Sequence, residues 1–258
     1  LKRFGFAQRT GVGISGERAG VLRSPKRISK IGVATTAFGQ GMTATIMQLA
    51  QGLTALANDG MMMTPRLVRR IKDARGGTVK QFLTEGRRVL TPDTALELRK
   101  MMASVTEEGG TGTNAAMDRY TVAGKTGTAQ KVDPVLRAYS PELWVSSFIG
   151  MVPAIQPRLI IAVVVNEPAG KKYYGGDVAA PVFKRIAERS LGYLGVTPDK
   201  ASKPSKKKKG KKKSAAAKAA SRSVKPPPPP LPGRTSPVEV GAIKVPDFKG
   251  MSIVEVLA

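Results

Sequence analysis

Lys125-Thr126-Gly127-Thr128-Ala129-Gln130, led in by Val122-Ala123-Gly124, is the stretch on which the fold turns. Its β-branched and small residues read as an extended strand over 120–130. Downstream, 145–152 and 159–166 read the same way, and the second contains the unbroken apolar run IIAVVV. Such a run predicts a central strand covered on both faces. Residues 153–158 are too few for a crossover helix, so these two strands are expected to be antiparallel neighbours.

Helical patterns surround the strands. Ile46, Leu49, Ala50, Leu53, Leu56 and Ala57 recur at helical spacing behind a Thr45–Gln48 capping box, with Gly60 as the stop. Thr91 and Pro92 open a second helix that places Leu98, Met101, Met102 and Val105 on one side and runs to Gly109. A third is expected over 177–194, with Val178, Val182, Phe183, Ile186 and Leu191 covering the sheet. Two weak strands fall at 66–72 and 78–83. The fold class is therefore α/β of the α+β kind: an antiparallel sheet flanked by helices.

The net charge of +25 is unevenly spread. Residues 200–225 hold 12 Lys or Arg and no Asp or Glu, whereas 1–199 hold 28 basic and 15 acidic residues. Residues 196–237, Lys-rich, then Ala-rich, then a five-proline run, cannot build a core and read as a disordered basic linker. Residues 1–195 form the main domain, and 238–258 resume strand-like and helix-like patterning as the start of a further module. Leu1 stands where an initiator methionine is usual, and the last segment stops in mid-pattern, so the domain is expected to be N-terminally truncated.

With no His and no Cys, a Ser-His-Asp triad, a Cys-His pair and thiolate or imidazole metal sites are excluded. No metal is expected, and acid-base chemistry falls to Lys, Tyr, Asp or Glu. No apolar run of membrane-spanning length occurs. Met61–Met63 read as packing, and Trp144 with Tyr173-Tyr174 suit partial burial as well as a cleft wall, so neither group is assigned to the site.

A Lys-Thr-Gly triplet alone is weak evidence; its setting is not. FGFAQRTGVGISGE (4–17), GQGMTATIMQLAQGLTALANDG (39–60), Thr64-Pro65, GGTGT (109–113), AGKTGTAQ (123–130), SSFIGMVP (146–153) and YYGGDVAAPVFKRI (173–186) follow one another in order. Together they make 4–194 resemble the later part of class B penicillin-binding proteins, the peptidoglycan transpeptidases of division and elongation. VPDFKGMSIVEVLA (245–258) resembles the opening of a PASTA module.

The resemblance implies a serine acyl-enzyme that cross-links peptidoglycan by D,D-transpeptidation, using Ser-x-x-Lys, Ser-x-Asn and Lys-Thr-Gly motifs. It implies that Lys125, Thr126, Gly127 and Thr128 bind substrate. Lys125 supplies a cation beside the nucleophile, the two threonine hydroxyls donate to the substrate carboxylate, and the Thr128 N–H serves the oxyanion hole. Strict alternation sets Lys125 on the opposite face from the threonines, so a twist or distortion near Gly127 is expected. Ser205–Lys208, the one Ser-x-x-Lys spacing, lies in the lysine tract after Lys-Thr-Gly, so the nucleophile and its base are expected ahead of Leu1. This chain by itself is then inactive.

The implied partners are stem peptides ending in D-Ala-D-Ala, β-lactams as inhibitors, and the division or elongation machinery, at the outer face of the cytoplasmic membrane behind an upstream anchor. No cofactor is implied. The lysine tract suits acidic wall polymers or anionic lipid as well as a plain solvated linker, and carries no sign of specific nucleic-acid binding. The alternatives are a D,D-carboxypeptidase or β-lactamase-like hydrolase, and a non-catalytic wall-binding protein on the same fold.

Overall fold

The computed structural model describes residues 1–24, 26, 28–133 and 138–201, within one compact unit, Leu1–Lys206. The PASTA-like segment and nearly all of the expected linker lie outside the described residues. The helices are α1 (Lys30–Ala37), α2 (Ile46–Ala57), α3 (Pro92–Ala103) and α4 (Gly175–Tyr193). Two small antiparallel pairs join β1 (Met61–Met63) to β4 (Gly86–Arg88), and β2 (Arg70–Lys72) to β3 (Thr78–Gln81). The main sheet is antiparallel and ordered β5 (Ala123–Val132), β6 (Tyr139–Val152), β7 (Leu159–Asn166).

Helices pack on both faces of this sheet. On one, Phe148 of β6 meets Phe183 of α4 edge-on at 4.7 Å, both fully buried with Ala179, Ala180, Ala187 and Leu191. The alanines let the helix lie close to the strands. The aromatic pair adds about 0.5–1.5 kcal/mol beyond the area it buries. On the other face, Ala123 and Met151 pack with Ala55 and Leu56 of α2, with Leu98 and Met102 of α3 at the margin.

Several expectations need correction. The strand with the IIAVVV run is not central: among the described residues β7 pairs only with β6, which is the middle strand. Its continuous apolarity reflects α4 on one side, against Ile161, Val163 and Val165, and the α2 cluster on the other, against Ile160. In α4, Val182 and Ile186 are exposed, because the alanine stripe seats the helix instead. Met101 is 65% exposed because the inward face of α3 runs through Ala95, Leu98, Arg99 and Met102, and the helix ends at Ala103 in a 3-10 turn, Ser104–Thr106, well before Gly109.

The buried face of α2 is rotated relative to the apolar pattern, running through Gln48, Gln51, Gly52, Ala55 and Leu56 while Ile46 is exposed. Gln48 is the reason. Its Oε1 accepts from Thr45 N, completing the capping box, and its Nε2 donates to the carbonyls of Gln8 (2.7 Å) and Ala19 (2.6 Å). One amide thus fastens the N-terminal loops to the helix. The buried Gln48 amide is thereby satisfied, along with two part-buried carbonyls, and losing such partners costs about 1–3 kcal/mol each.

Beyond α4, the first residues assigned to the linker stay on the domain. Tyr120 Oη donates to the Val196 carbonyl at 2.7 Å, Thr121 donates to the Asp199 carboxylate through both its N–H and its hydroxyl, and Lys200 Nζ donates to the Met117 carbonyl. The packed chain therefore continues past 195 to Lys200.

Gln48→Leu keeps the volume but strands two carbonyls. Urea denaturation of the 258-residue chain should show a loss of about 2–4 kcal/mol; a change below about 0.5 kcal/mol would mean the amide is not the fastening.

Candidate functional site

Lys125–Thr128 lies in β5, which among the described residues is an edge strand of the main sheet, paired in unbroken antiparallel register with β6 from Ala123↔Met151 to Gln130↔Trp144. The irregularity falls between Gln130 and Val132, so the distortion expected at Gly127 is absent. Pleating therefore sorts the motif by face. Thr126 and Thr128, both half-buried, share the α4 face with Phe148 and Ser146. Lys125 and Gly127 share the other with Ser147 and Ile149. Gly127 lies so close to Ser147 that a Cβ there would strike Ser147 Oγ.

The two threonines come together as the sequence implied. They line a cleft of about 350 Å³ with Thr111, Asn114, Tyr174, Gly175 and Gly176. Lys125 does not join them: it is exposed on the opposite face, and its Nζ donates to the Thr126 carbonyl at 2.8 Å. Because β5 is a sheet edge among the described residues, both faces of the motif meet along one open border.

The N-terminus of α4 forms the facing wall, and hydrogen bonds hold it there. Gly175 N donates to Thr128 Oγ1 at 3.0 Å, Asn114 Nδ2 donates to the Gly176 carbonyl at 2.9 Å, and the buried Ser146 hydroxyl donates to the Tyr173 carbonyl. The Thr111 and Thr126 hydroxyls pair at 2.9 Å. Only glycine fits this closeness: a Cβ on Gly175 would collide with the Ser147 and Gly127 carbonyls, and one on Gly176 with the Thr111 carbonyl. The GGTGT, SSFIG and YYGG segments are thus one device in space. Periodicity could not have found it, since hydroxyl and glycine positions carry no hydrophobic signal.

Trp144, Tyr173 and Tyr174 form a continuous stack beside the cleft, with successive centroids 4.5 Å apart. Tyr173 Oη donates to Tyr174 Oη, which holds the Tyr173 phenol above its ordinary pKa. At the same end of the sheet Lys131 Nζ donates to the Glu167 carboxylate, and Glu167 N donates to the Trp144 carbonyl. The hydrogen bond from Lys131, then its charge, keep the Glu167 carboxyl below the usual carboxylate range.

Residues 1–188 match the family model described as the penicillin binding protein transpeptidase domain. A probable peptidoglycan D,D-transpeptidase PenA of Neisseria flavescens is 41% identical over 196 residues, covering 76% of this chain and 46% of its own length. The stage V sporulation protein D of Bacillus subtilis is 39% identical over 202 residues, 78% of this chain and 31% of its own. The structure of penicillin-binding protein 3 of Mycobacterium tuberculosis complexed with aztreonam superposes with a TM-score of 0.70 at 32% identity, over 78% of this chain and 46% of that one. The chain spans less than half the length of these relatives.

Two outcomes follow. Gly176→Ala should cost about 1–3 kcal/mol in thermal or chemical unfolding, because the helix terminus must retreat from Thr111; an unchanged midpoint would contradict the close packing. The Glu167 clasp should be present above the unfolded carboxylate pKa and be lost as pH falls through the lower folded one. A Trp144 fluorescence change in that acid range, absent in Glu167→Gln, checks this, and the same acid transition in both proteins would refute it.

Proposed function

The chain belongs to the penicillin-binding protein transpeptidase family, and from that premise we propose that it supplies the substrate-binding wall of a peptidoglycan D,D-transpeptidase. The observation that carries this reading is the edge placement of Lys125-Thr126-Gly127-Thr128, with two half-buried threonine hydroxyls lining an open cleft against the α4 terminus. The attacking serine and its lysine base belong to protein beyond this sequence, whose one Ser-x-x-Lys spacing lies in the lysine tract.

In the proposed reaction the serine hydroxyl loses its proton to the base as its oxygen attacks the carbonyl of the D-Ala-D-Ala bond. The C–N bond breaks, D-alanine leaves with a proton on its nitrogen, and an ester remains on the serine. The amine of a neighbouring stem peptide then attacks that ester, restoring the serine and forming the cross-link. A β-lactam acylates the same serine.

Each wall residue has a part in this. The Thr126 and Thr128 hydroxyls donate to the terminal carboxylate, which the positive end of the 19-residue α4 also favours. The one carboxylate in the first turn of α4, Asp177, is met by Lys172 at 3.2 Å. Gly127 admits the substrate backbone closely. The Thr128 N–H is one oxyanion donor, the serine's own N–H the other. The flexible stem of Lys125 lets its ammonium leave the Thr126 carbonyl and swing to the border where the serine arrives. Trp144, Tyr173 and Tyr174 frame the cleft beside these groups. The site faces the wall compartment at the outer side of the cytoplasmic membrane, and 238–258 begin a PASTA-like module.

Fluorescent penicillin tests this directly. The 258-residue chain should stay unlabelled, while a longer form that includes the Ser-x-x-Lys segment should label, and Lys125→Ala in that form should slow labelling by about 10²–10³-fold. Covalent labelling of the short chain, or an unchanged rate in Lys125→Ala, would overturn the assignment.

A further inference from the structure

The β2–β3 hairpin is an arm that the transpeptidase reading leaves without a task. Every residue from 66 to 81 is exposed, and neither strand belongs to any other sheet. A hairpin wet on both faces buries almost nothing, and two strands alone are marginal in water. Even so, its turn is built: the Asp73 carboxylate accepts from Arg75 N at 2.9 Å and from Gly77 N at 2.8 Å.

Residues 66–88 hold eight Lys or Arg and only two acids. Asp73 is occupied by the turn, and Glu85 lies 3.7 Å from Arg66. Among the described residues Arg69, Arg70, Lys72, Arg75 and Lys80 have no carboxylate within ion-pair distance. Aliphatic side chains stand among these cations: Leu67 and Val79 are each 67% exposed and Leu83 70%. The register places Ile71 across from Lys80 on one face and Arg70 across from Gln81 on the other, and a register shift leaves Val79 without a partner between Lys80 and Thr78. The Ile71 face therefore carries a cation next to an aliphatic chain. Such a face suits neither a dry protein core nor open water.

We propose that this arm docks on an anionic lipid surface, its aliphatic side chains entering the interface and its lysines and arginines reaching the headgroup phosphates. Cations without a carboxylate partner supply the charge complementarity, Lys80 lying 4.9 Å over the Phe82 ring, and each adds attraction within a Debye length of the surface. Long stems let Lys and Arg keep their charge at headgroup level while neighbouring aliphatics go deeper. A purely ionic partner, such as an acidic polymer, would leave the exposed Leu67, Val79 and Leu83 without a role. The arm is distinct from the lysine tract, and its docking does not depend on the catalytic reading.

The 258-residue chain is sedimented with vesicles of phosphatidylcholine alone or mixed with phosphatidylglycerol. Three variants are compared: Arg69→Gln/Arg70→Gln/Lys72→Gln/Lys80→Gln; Ile71→Thr/Val79→Thr/Leu83→Ser; and a control with Lys206, Lys207, Lys208 and Lys209 changed to Gln. All the arm positions are exposed, and unchanged circular dichroism verifies the fold. Binding should require phosphatidylglycerol and weaken by at least about tenfold in the arm-cation variant. It should also weaken severalfold in the aliphatic variant. Loss confined to the tail control overturns the proposal. So does loss in the cation variant with none in the aliphatic one, which would make the attachment purely ionic.

Discussion

Everything at the site depends on how closely the start of α4 approaches the edge strand β5. Backbone meets backbone there because Gly175 and Gly176 have no side chains, and the contact is fixed by a hydroxyl, Thr128 Oγ1, accepting from the first N–H of the helix. Move the helix outward by the width of a methyl group and the cleft loses a wall. The core behind it, with Phe148 against Phe183 and a run of alanines, is shaped to permit that approach.

This arrangement gives the motif two working faces. The threonines are held on the α4 side, already organised by hydrogen bonds to Thr111 and Gly175. Lys125 waits on the other side, closed on a neighbouring carbonyl. A strand buried on both edges could not present both to one ligand. An edge strand can, and in the proposed reaction the ligand lies along that edge with its carboxylate toward the threonines and its scissile bond toward the missing serine.

Much of the fold was legible from the chain. The Thr45–Gln48 box and the Thr91–Pro92 start are local signals, written in the residues that make the hydrogen bonds, and both helices begin where those residues place them. The six-residue link between β6 and β7 likewise dictated an antiparallel pair. Position within the sheet was another matter. An apolar run reports cover on both faces but not a neighbour on each edge, and β7 has the cover without the second neighbour among the described residues. The faces of α2 and α4 were misjudged because hydrophobicity says nothing of a glutamine buried for its hydrogen bonds or of alanines chosen for closeness. At the site, the Lys-Thr-Gly motif pointed to the strand, while Thr111 and the two glycines were visible only within segments of a family resemblance, and Asn114 lay outside those segments.

The central claim is that the Thr126 and Thr128 hydroxyls form a carboxylate seat beside a serine brought from elsewhere in the protein. A crystal structure of the longer, serine-bearing form acylated by a β-lactam measures it most directly. The drug's carboxylate is expected within about 2.6–3.2 Å of both hydroxyls, with the ester on a serine outside these 258 residues. A carboxylate bound away from β5, or an ester on any residue of these 258, would contradict it.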